Sequence, residues 1–278
     1  MKIGAIIQAR MSSSRLPNKV LMSLPYGGEV CVLQQVIRRV SKSKLINQVI
    51  VATSDHIEDE KISNIAKLEN VPCYRGSLDN VLDRFYNAAL KFNLDVIVRI
   101  TSDNPCIDSG ILDEVIKNHL ELNADYTSTS LNNKFPVGIG CEVINFAALK
   151  KSFLSASEKY EKEHVTPFIY KTCPDEFNIN SYSRNQDNSN LRVTLDTPQD
   201  YALLCSVFDF LYEKNHFFTL NDILDLFNKK PWLKTINKDI IQKKVYNTLS
   251  EELEEAVNLC NKQDLNKAAN FIKNHFGE

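Results

Sequence analysis

The feature that most constrains the fold of this chain is a repeated alternation of short apolar runs and segments with helical periodicity. Apolar residues recur at helical spacing between the runs, as in the segment 30–40, where Arg38 and Arg39 fall on the polar side. Alternation of this kind predicts βαβ units, and therefore an α/β fold with a mostly parallel sheet between two layers of helices. The apolar runs, each of which predicts a buried strand, cover residues 2–9, 49–54, 71–75 and 95–101.

The second half of the chain carries weaker strand signals and then becomes helical. A helix is expected around residues 158–170, where Pro167 must either kink it or mark a new start. Helical spacing continues after residue 197, with two starts that resemble capping boxes. We therefore predict one domain over residues 1–217 and a helical C-terminal extension over residues 218–278. The remaining predicted strands are 125–130, 140–144, 178–182 and 191–195.

Composition argues against several classes of function. Apolar residues make up 43% of the 278 residues and charged residues 24%, which is the ordinary globular mix. The net charge of -2 gives no general electrostatic case for a nucleic-acid or membrane partner. No apolar stretch approaches the roughly 18 residues that span a bilayer, and the cations among the first twenty residues argue against a signal peptide. The seven cysteines form no Cys-x-x-Cys pair, so we expect reduced thiols in a cytoplasmic protein.

Glycine is scarce, with only 8 residues in the whole chain, whereas an average protein contains about 7%. Walker-type loops and dinucleotide-binding loops depend on several glycines, because their backbone approaches the phosphates closely. The count therefore argues against both kinds of loop.

A basic segment directly after the first predicted strand is the strongest candidate for a phosphate site. In a parallel α/β sheet, ligands gather beyond the carboxyl ends of the strands, which is where residues 8–19 fall. Free backbone amides, arginine and lysine together suit a polyphosphate, although an exposed basic loop without function is the alternative. The charged and hydroxyl residues of this segment are Arg10, Arg15, Lys19, Ser12, Ser13 and Ser14.

Two aspartates follow later predicted strands and should point to the same edge of the sheet. Asp103 follows the strand at 95–101, and Asp196 follows the strand at 191–195. Each could simply cap a helix, since a helix is expected after both. Together with the basic segment, however, they form the pair of carboxylates that Mg²⁺ bridged to phosphate oxygens requires.

The chain resembles the cytidylyltransferase family of spore-coat polysaccharide biosynthesis, which is related to the CMP-sialic acid and CMP-ketodeoxyoctonate synthetases. The resemblance extends over about residues 3 to 240 and includes the segments FTLNDIL and PWLKTIN. It implies a Rossmann-like nucleotidyltransferase fold, a glycosyltransferase-A-like three-layer sandwich, over residues 1–217. It also implies transfer of a cytidylyl group from CTP to an acidic or phosphorylated sugar-like acceptor, with release of pyrophosphate. The matching segments are IIQARMSSSRLPNKVL, RGSLDNVLDRF, RITSDNPCID, EKEHVTPFIY and LRVTLDTPQDYALL.

The resemblance also implies roles for individual residues. The catalytic group would comprise Arg15 and Lys19, together with Asp103 and Asp196 as the Mg²⁺ ligands. Three further residues, Arg99, Glu142 and His164, are candidates for the acceptor side. Nucleotide-binding residues would be Gln8, Ala9, Arg10, Met11, Ser12, Ser77, Asp79 and Ser102.

Structural roles are the alternatives for two of these residues. His164 could be a buried histidine bonded to a backbone carbonyl, and Glu142 could form an ion pair with Arg99 or Lys134. The chain also departs from the family, which usually has glycine where Ser12 and Asn18 stand. Asparagine tolerates a positive φ and can keep the turn, whereas serine at position 12 fits less well if φ is positive there.

Two other functions compete with cytidylyl transfer. A glycosyltransferase on a similar sheet commonly holds its metal with Asp-x-Asp, which the chain does not contain. The second alternative is a non-catalytic nucleotide-binding or scaffold protein; the loop cations and both aspartates argue against it, whereas Ser12 and Asn18 leave it open. The acceptor could be a sialic-acid-like sugar, a phosphorylated polyol or a phosphonate. Relatives suggest a homodimer, in which residues 128–143 are a plausible exchange point between subunits.

Overall fold

The structure is a computed structural model that describes residues 1–13, 15–132, 134–240 and 248–276. It divides into two compact units, residues 1–238 and residues 239–278. In the described part of the chain, no helix is long and apolar enough to cross a membrane.

The first unit is built on a seven-stranded sheet. The strand order is β3-β2-β1-β4-β6-β5-β7, and only β6 runs antiparallel to its neighbours. The strands are β1 (Ile3–Gln8), β2 (Gln48–Ser54), β3 (Cys73–Gly76), β4 (Val96–Thr101), β5 (Tyr126–Ser128), β6 (Glu142–Asn145) and β7 (Ile179–Ser181).

Eight helices belong to the described part of the first unit. They are α1 (Val32–Val40), α2 (Glu60–Leu68), α3 (Val81–Lys91), α4 (Ser109–Glu121), α5 (Phe146–Ser155), α6 (Lys159–His164), α7 (Pro198–Leu211) and α8 (Leu220–Lys229).

Both faces of the central strands are buried, which explains why these strands are apolar throughout. Along β1, Ile6 and Ile7 are both fully buried, but they belong to two different core clusters on opposite faces. The same alternation places Ile97 and Val98 of β4 in different clusters. The predicted α/β fold with a mostly parallel sheet is therefore confirmed.

The division between the units falls later than the predicted boundary at residue 217. Phe218, Ile223 and Phe227 are almost completely buried in the same core cluster as β1, so the segment after residue 217 packs with the sheet. The second unit contains α9 (Leu249–Lys262) and α10 (Asn266–Phe276), which pack against each other. Residues 241–247 and 277–278 of the predicted extension lie outside the described residues.

One local prediction, the strand at 191–195, is wrong. Residues 191–195 form only an isolated bridge, between Arg192 and Val137, because the facing segment contains Pro136 without an N–H. Gly138 of that segment has φ 105°, and a Cβ there would lie 2.6 Å from the backbone of Thr194. The helix expected around residues 158–170 ends at His164, where Val165 takes φ 73°, and a new helical turn over Phe168–Thr172 follows Pro167. Of the two alternatives for Pro167, the structure therefore shows the new start.

Candidate active site

The ends of β1 and β4 form the floor of the candidate site. These strands are parallel neighbours, and Gln8 stands opposite Thr101 in register. The next residues on each strand, Ala9 and Ser102, are buried, and the Ser102 amide donates to the Gln8 carbonyl at 3.1 Å. The segments that follow both strands therefore leave the same edge of the sheet, as the sequence predicts.

The basic segment after β1 forms a closed loop around a pocket of about 600 Å³. The amide of Asn18 donates to the carbonyl of Met11 at 3.3 Å, which joins the two ends of the loop. Met11 itself is buried in the core, while Ser12 is exposed. Ser14 lies outside the described residues. The pocket is lined by Arg10, Met11, Ser12, Ser13, Pro17, Asn18 and Glu58.

The structure resolves the two departures from the family pattern. Asn18 has φ 59° and ψ 17°, so asparagine occupies the left-handed conformation as predicted. Ser12 is not among the described non-glycine residues with a positive φ. Serine is therefore not strained at that position, and the loop keeps its turn without glycine.

Four charged side chains converge, two from this basic segment and two from segments that follow later strands, and we call Arg15, Lys19, Asp103 and Asp196 the loop–carboxylate group. The Lys19 ammonium donates to Asp103 Oδ2 at 2.7 Å and to Asp196 Oδ1 at 2.8 Å. Arg15 reaches Asp196 Oδ2 at 3.0 Å. The structure thus brings together all four residues that the sequence predicts to be catalytic.

Opposite charges control protonation in the loop–carboxylate group. Burial by itself lowers the pKa of Lys19, but the carboxylates of Asp103 and Asp196 outweigh burial and raise that pKa above its ordinary value. Burial raises the pKa of Asp196, yet Lys19 and Arg15 outweigh it, and the net result is a lowered pKa. The charged forms of Lys19 and Asp196 are therefore favoured near neutral pH.

A second layer of side chains that sequence reasoning missed holds Asp196 in place. Arg192 donates to Asp196 Oδ2 at 2.9 Å and forms a two-pronged ion pair with Asp200, which is fully buried. Asp200 also accepts the backbone amides of Asp196 and Thr197 at the start of α7. Asn237 donates to Asp200 Oδ1 at 2.8 Å. Alternation along 191–195, which places Arg192 and Asp196 on one face, is the signal that could have found Arg192.

The predicted acceptor-side residues Arg99 and Glu142 face each other on paired strands, opposite in register on β4 and β6. Arg99 donates to Glu142 Oε2, while Tyr126 and Thr166 both donate to Oε1, the latter at 2.7 Å. We call Arg99, Glu142, Tyr126 and Thr166 the Glu142 cluster. The sequence left Arg99 and Lys134 as alternative ion-pair partners of Glu142. In the described residues the partner is Arg99 and not Lys134.

Local charges also set the protonation of Glu142 and His164. Burial raises the pKa of Glu142, but Arg99 and the hydroxyl donors outweigh burial and lower it. Burial lowers the pKa of His164, and the positive charges of Arg99 and Arg10 lower it further against the opposing Glu163 and Glu142. His164 thus lies within the electrostatic reach of the Glu142 cluster and of the loop.

Ser77 and Asp79 lie between β3 and α3. The Ser77 hydroxyl accepts the Asn80 amide at 3.0 Å, so it helps to shape the turn into α3. The buried guanidinium of Arg84 donates to the Ser77 carbonyl at 3.2 Å. Asp79 is exposed. Neither Ser77 nor Asp79 is among the described residues that line the pocket.

The donors available for a metal are two carboxylates. Asp103 and Asp196 already share one cation, the Lys19 ammonium, between them. Mg²⁺ is usually bound by one or two carboxylates together with substrate phosphates and water, so this pair fits the ion. Within the described residues, no cluster of three or more His, Cys, Asp or Glu side chains could form a complete protein cage.

Comparison with known proteins defines the class of this site. The cytidylyltransferase family model matches residues 4–184. An uncharacterized protein of Methanocaldococcus jannaschii is 39% identical over 249 residues, which cover 87% of this chain and 97% of that protein. The spore coat polysaccharide biosynthesis protein SpsF of Bacillus subtilis is 32% identical over 241 residues, covering 81% and 94%.

A solved structure agrees with these relatives. The cytidylyltransferase from Leptospira borgpetersenii superimposes with a TM-score of 0.79 at 30% sequence identity, covering 89% of this chain and 100% of that one. Fold, site and relatives define a CTP-dependent nucleotidyltransferase. The chain belongs to the cytidylyltransferase family, as its sequence motifs indicate.

Proposed function

We propose that this protein transfers the cytidylyl group of CTP to an acidic or phosphorylated sugar-like acceptor in surface polysaccharide or glycan biosynthesis. The observation that carries the proposal is the loop–carboxylate group, in which Lys19 lies between Asp103 and Asp196, together with the pocket lined by the basic loop. The name of the SpsF relative supports a role in polysaccharide biosynthesis. The acceptor class rests on the family resemblance, supported by the proximity of Arg10 and Arg99 to His164.

In the proposed reaction, an acceptor oxygen forms a new bond to the α-phosphorus of CTP. The bond between that phosphorus and its bridging oxygen to the β-phosphate breaks, pyrophosphate leaves, and the acceptor oxygen loses its proton if it carries one. Arg10 and Arg15 would hold the triphosphate, and Lys19 would offset the charge that grows on the leaving pyrophosphate. Asp103 and Asp196 would hold Mg²⁺, which supplies charge neutralisation of the phosphates when it is bound.

Positioning and charge stabilisation carry this reaction, because it needs no covalent intermediate. The backbone of β1 near Gln8 and Ala9 would face the base, with Met11, Ser12 and Ser102 nearby. Ser77 and Asp79 would reach the nucleoside. The remaining proposed contacts, on the acceptor side, are Arg99, Glu142 and His164.

We also propose that the enzyme works in the cytoplasm as a homodimer, in which residues 128–143 are the exchange point between subunits. Family resemblance supports the dimer. The seven unpaired cysteines in the described residues agree with a reducing compartment.

The test is release of pyrophosphate from CTP and Mg²⁺ with a panel of sugar acids, sugar phosphates, polyol phosphates and phosphonates. We expect release that depends on both CTP and one class of acceptor. Consumption of a preformed sugar nucleotide without CTP would instead identify a glycosyltransferase. Binding of CTP with no release for any acceptor would favour a non-catalytic nucleotide-binding protein.

A further inference from the structure

The loop after β1 is fixed at one residue, Met11. Its side chain is buried in the core, and its carbonyl accepts the Asn18 amide at 3.3 Å. Its amide donates to Asp59 Oδ1 at 2.7 Å, in a buried contact across 48 residues of sequence. The two neighbours of Met11, Arg10 and Ser12, line the pocket. Whatever holds Met11 therefore sets the direction of the pocket-lining residues on either side of it.

Asp59 is itself held rigidly. It is only 2% exposed, and its other oxygen, Oδ2, accepts the Ser54 hydroxyl at 2.5 Å and the Ser54 amide at 3.3 Å. Ser54 is the last residue of β2, so Asp59 ties the loop to the carboxyl end of the neighbouring strand. The buried guanidinium of Arg84 lies within electrostatic reach of Asp59.

We infer that Asp59 is a positioning residue for nucleotide binding: it holds the Arg10–Met11–Ser12 segment in the shape that accepts the triphosphate of CTP. This inference rests on the proposed function. A glycine-rich loop obtains close packing from its backbone alone. In this loop, the backbone is held by the buried carboxylate of Asp59, a residue that does not belong to the loop. The Met11 amide donates its hydrogen bond to Asp59, so it contributes to the shape of the loop and does not bind phosphate.

The matched control for this residue is Asp113. Its carboxylate also accepts a serine hydroxyl and backbone amides, from Ser43, Lys44 and Leu45, at distances of 2.5 to 3.2 Å. Those residues precede β2, so they lie at the opposite edge of the sheet from the loop. Asp113→Asn therefore removes the same kind of interaction far from the site.

The experiment compares CTP binding by calorimetry, with and without Mg²⁺, for wild type, Asp59→Asn and Asp113→Asn. We expect Asp59→Asn to raise the Kd for CTP about tenfold, because a charge-assisted anchor of the binding loop is lost. The KM for CTP should rise by a similar factor while kcat changes much less. We expect Asp113→Asn to leave the Kd unchanged even where it lowers the melting temperature.

A Kd for Asp59→Asn within twofold of both wild type and Asp113→Asn would overturn the inference. Failure of the wild type to bind CTP would instead overturn the proposed function, so the two failures are distinguishable. If Asp59→Asn does not fold, Ser54→Ala serves in its place. It keeps the Asp59 charge but removes the 2.5 Å hydrogen bond from the Ser54 hydroxyl, while the Ser54 amide still donates to the same oxygen. We therefore expect a smaller rise in Kd, about twofold to threefold. An unchanged Kd for that variant would contradict the inference.

Discussion

The loop–carboxylate group and the Glu142 cluster contain the same kind of contact but are built for different tasks. In the Glu142 cluster, Arg99 and Glu142 stand opposite each other on paired strands, and the hydroxyls of Tyr126 and Thr166 donate hydrogen bonds to the Glu142 carboxylate. All of these partners come from the protein. The cluster is satisfied before any ligand arrives.

In the loop–carboxylate group, by contrast, the cations come from a loop and the carboxylates from segments beyond strand ends. The Arg15 side chain is 30% exposed and that of Asp103 is 23% exposed, whereas Arg99 and Glu142 are each 14% exposed. Lys19 and Asp196, at 12% and 13%, are as buried as the Arg99–Glu142 pair. Arg15 is the side chain that can exchange a carboxylate oxygen for a phosphate oxygen of similar charge. The difference between the two regions is that Arg15 and Asp103 are more exposed than either member of the Arg99–Glu142 pair, which leaves them accessible to a ligand.

The largest effect on kcat should come from substituting the two carboxylates of the loop–carboxylate group. Asp103→Asn and Asp196→Asn each remove a negative oxygen donor that, in the proposed reaction, acts directly on the phosphates and their metal. Loss of one such group costs about 3 to 4 kcal/mol in the transition state, so kcat should fall about a hundredfold to a thousandfold. Pyrophosphate release at saturating CTP and Mg²⁺ measures this.

Asp113→Asn is again the control, because Asp113 accepts hydrogen bonds at the other edge of the sheet. Its kcat should stay near that of the wild type. Near wild-type release from both site variants would show that the two carboxylates have no catalytic role.

A substitution in the Glu142 cluster should lower the free energy of unfolding. Arg99→Met leaves the buried carboxylate of Glu142 without its cation, and breaking such a pair costs about 3 to 5 kcal/mol. We expect the free energy of unfolding in urea to fall by about that amount. The Kd for CTP should change far less than it does after substitutions in the basic loop.

The double variant Arg99→Met with Glu142→Gln is the matched control, since it removes both charges. It should recover part of the lost stability, because no unpaired charge remains buried. If Arg99→Met is instead as stable as wild type, the buried pair does not stabilise the fold and the proposed distinction between the regions fails.

The sequence predicts much of the fold, and also the loop–carboxylate group, for the same physical reason. Buried parallel strands are apolar throughout, so runs such as that ending at Ser54 are visible in the sequence, and polar residues that follow them fall at one edge of the sheet. That rule alone brings Lys19 and Asp103 together. Ser77 and Asp79 stay predictions, because the described pocket does not include them.

The supporting layer escapes sequence reasoning because its contacts join distant segments. Asp59 reaches Met11 across 48 residues, and Asn237 reaches Asp200 across 37 residues. No local periodicity encodes such a pair. The irregular stretch at 191–195 escapes for a different reason, since its apolar alternation fits a strand but the facing Pro136 and Gly138 cannot complete the ladder.

The smallest expected effect concerns His164, which lies within reach of both regions. Burial, together with Arg99 and Arg10, lowers its pKa in the folded protein below the ordinary 6.5. As the pH falls below about 6.5, His164 binds a proton in the unfolded chain but stays neutral in the folded protein, so the wild type loses stability. His164→Gln abolishes this loss. We expect the free energies of unfolding of the two proteins to differ by no more than about 0.5 kcal/mol at pH 8. Between pH 7 and pH 5, the free energy of unfolding of the wild type should fall below that of the variant.

Urea unfolding of both proteins at pH 8, 7, 6 and 5 measures the difference. Buried His119, whose pKa burial also lowers, is present in both proteins, so its contribution cancels in the comparison. If acid destabilises the variant as strongly as the wild type, His164 is protonated in the folded protein. In that case Glu163 and Glu142 act on it more strongly than Arg99 and Arg10, and His164 would bring a positive charge to the acceptor side rather than a neutral donor.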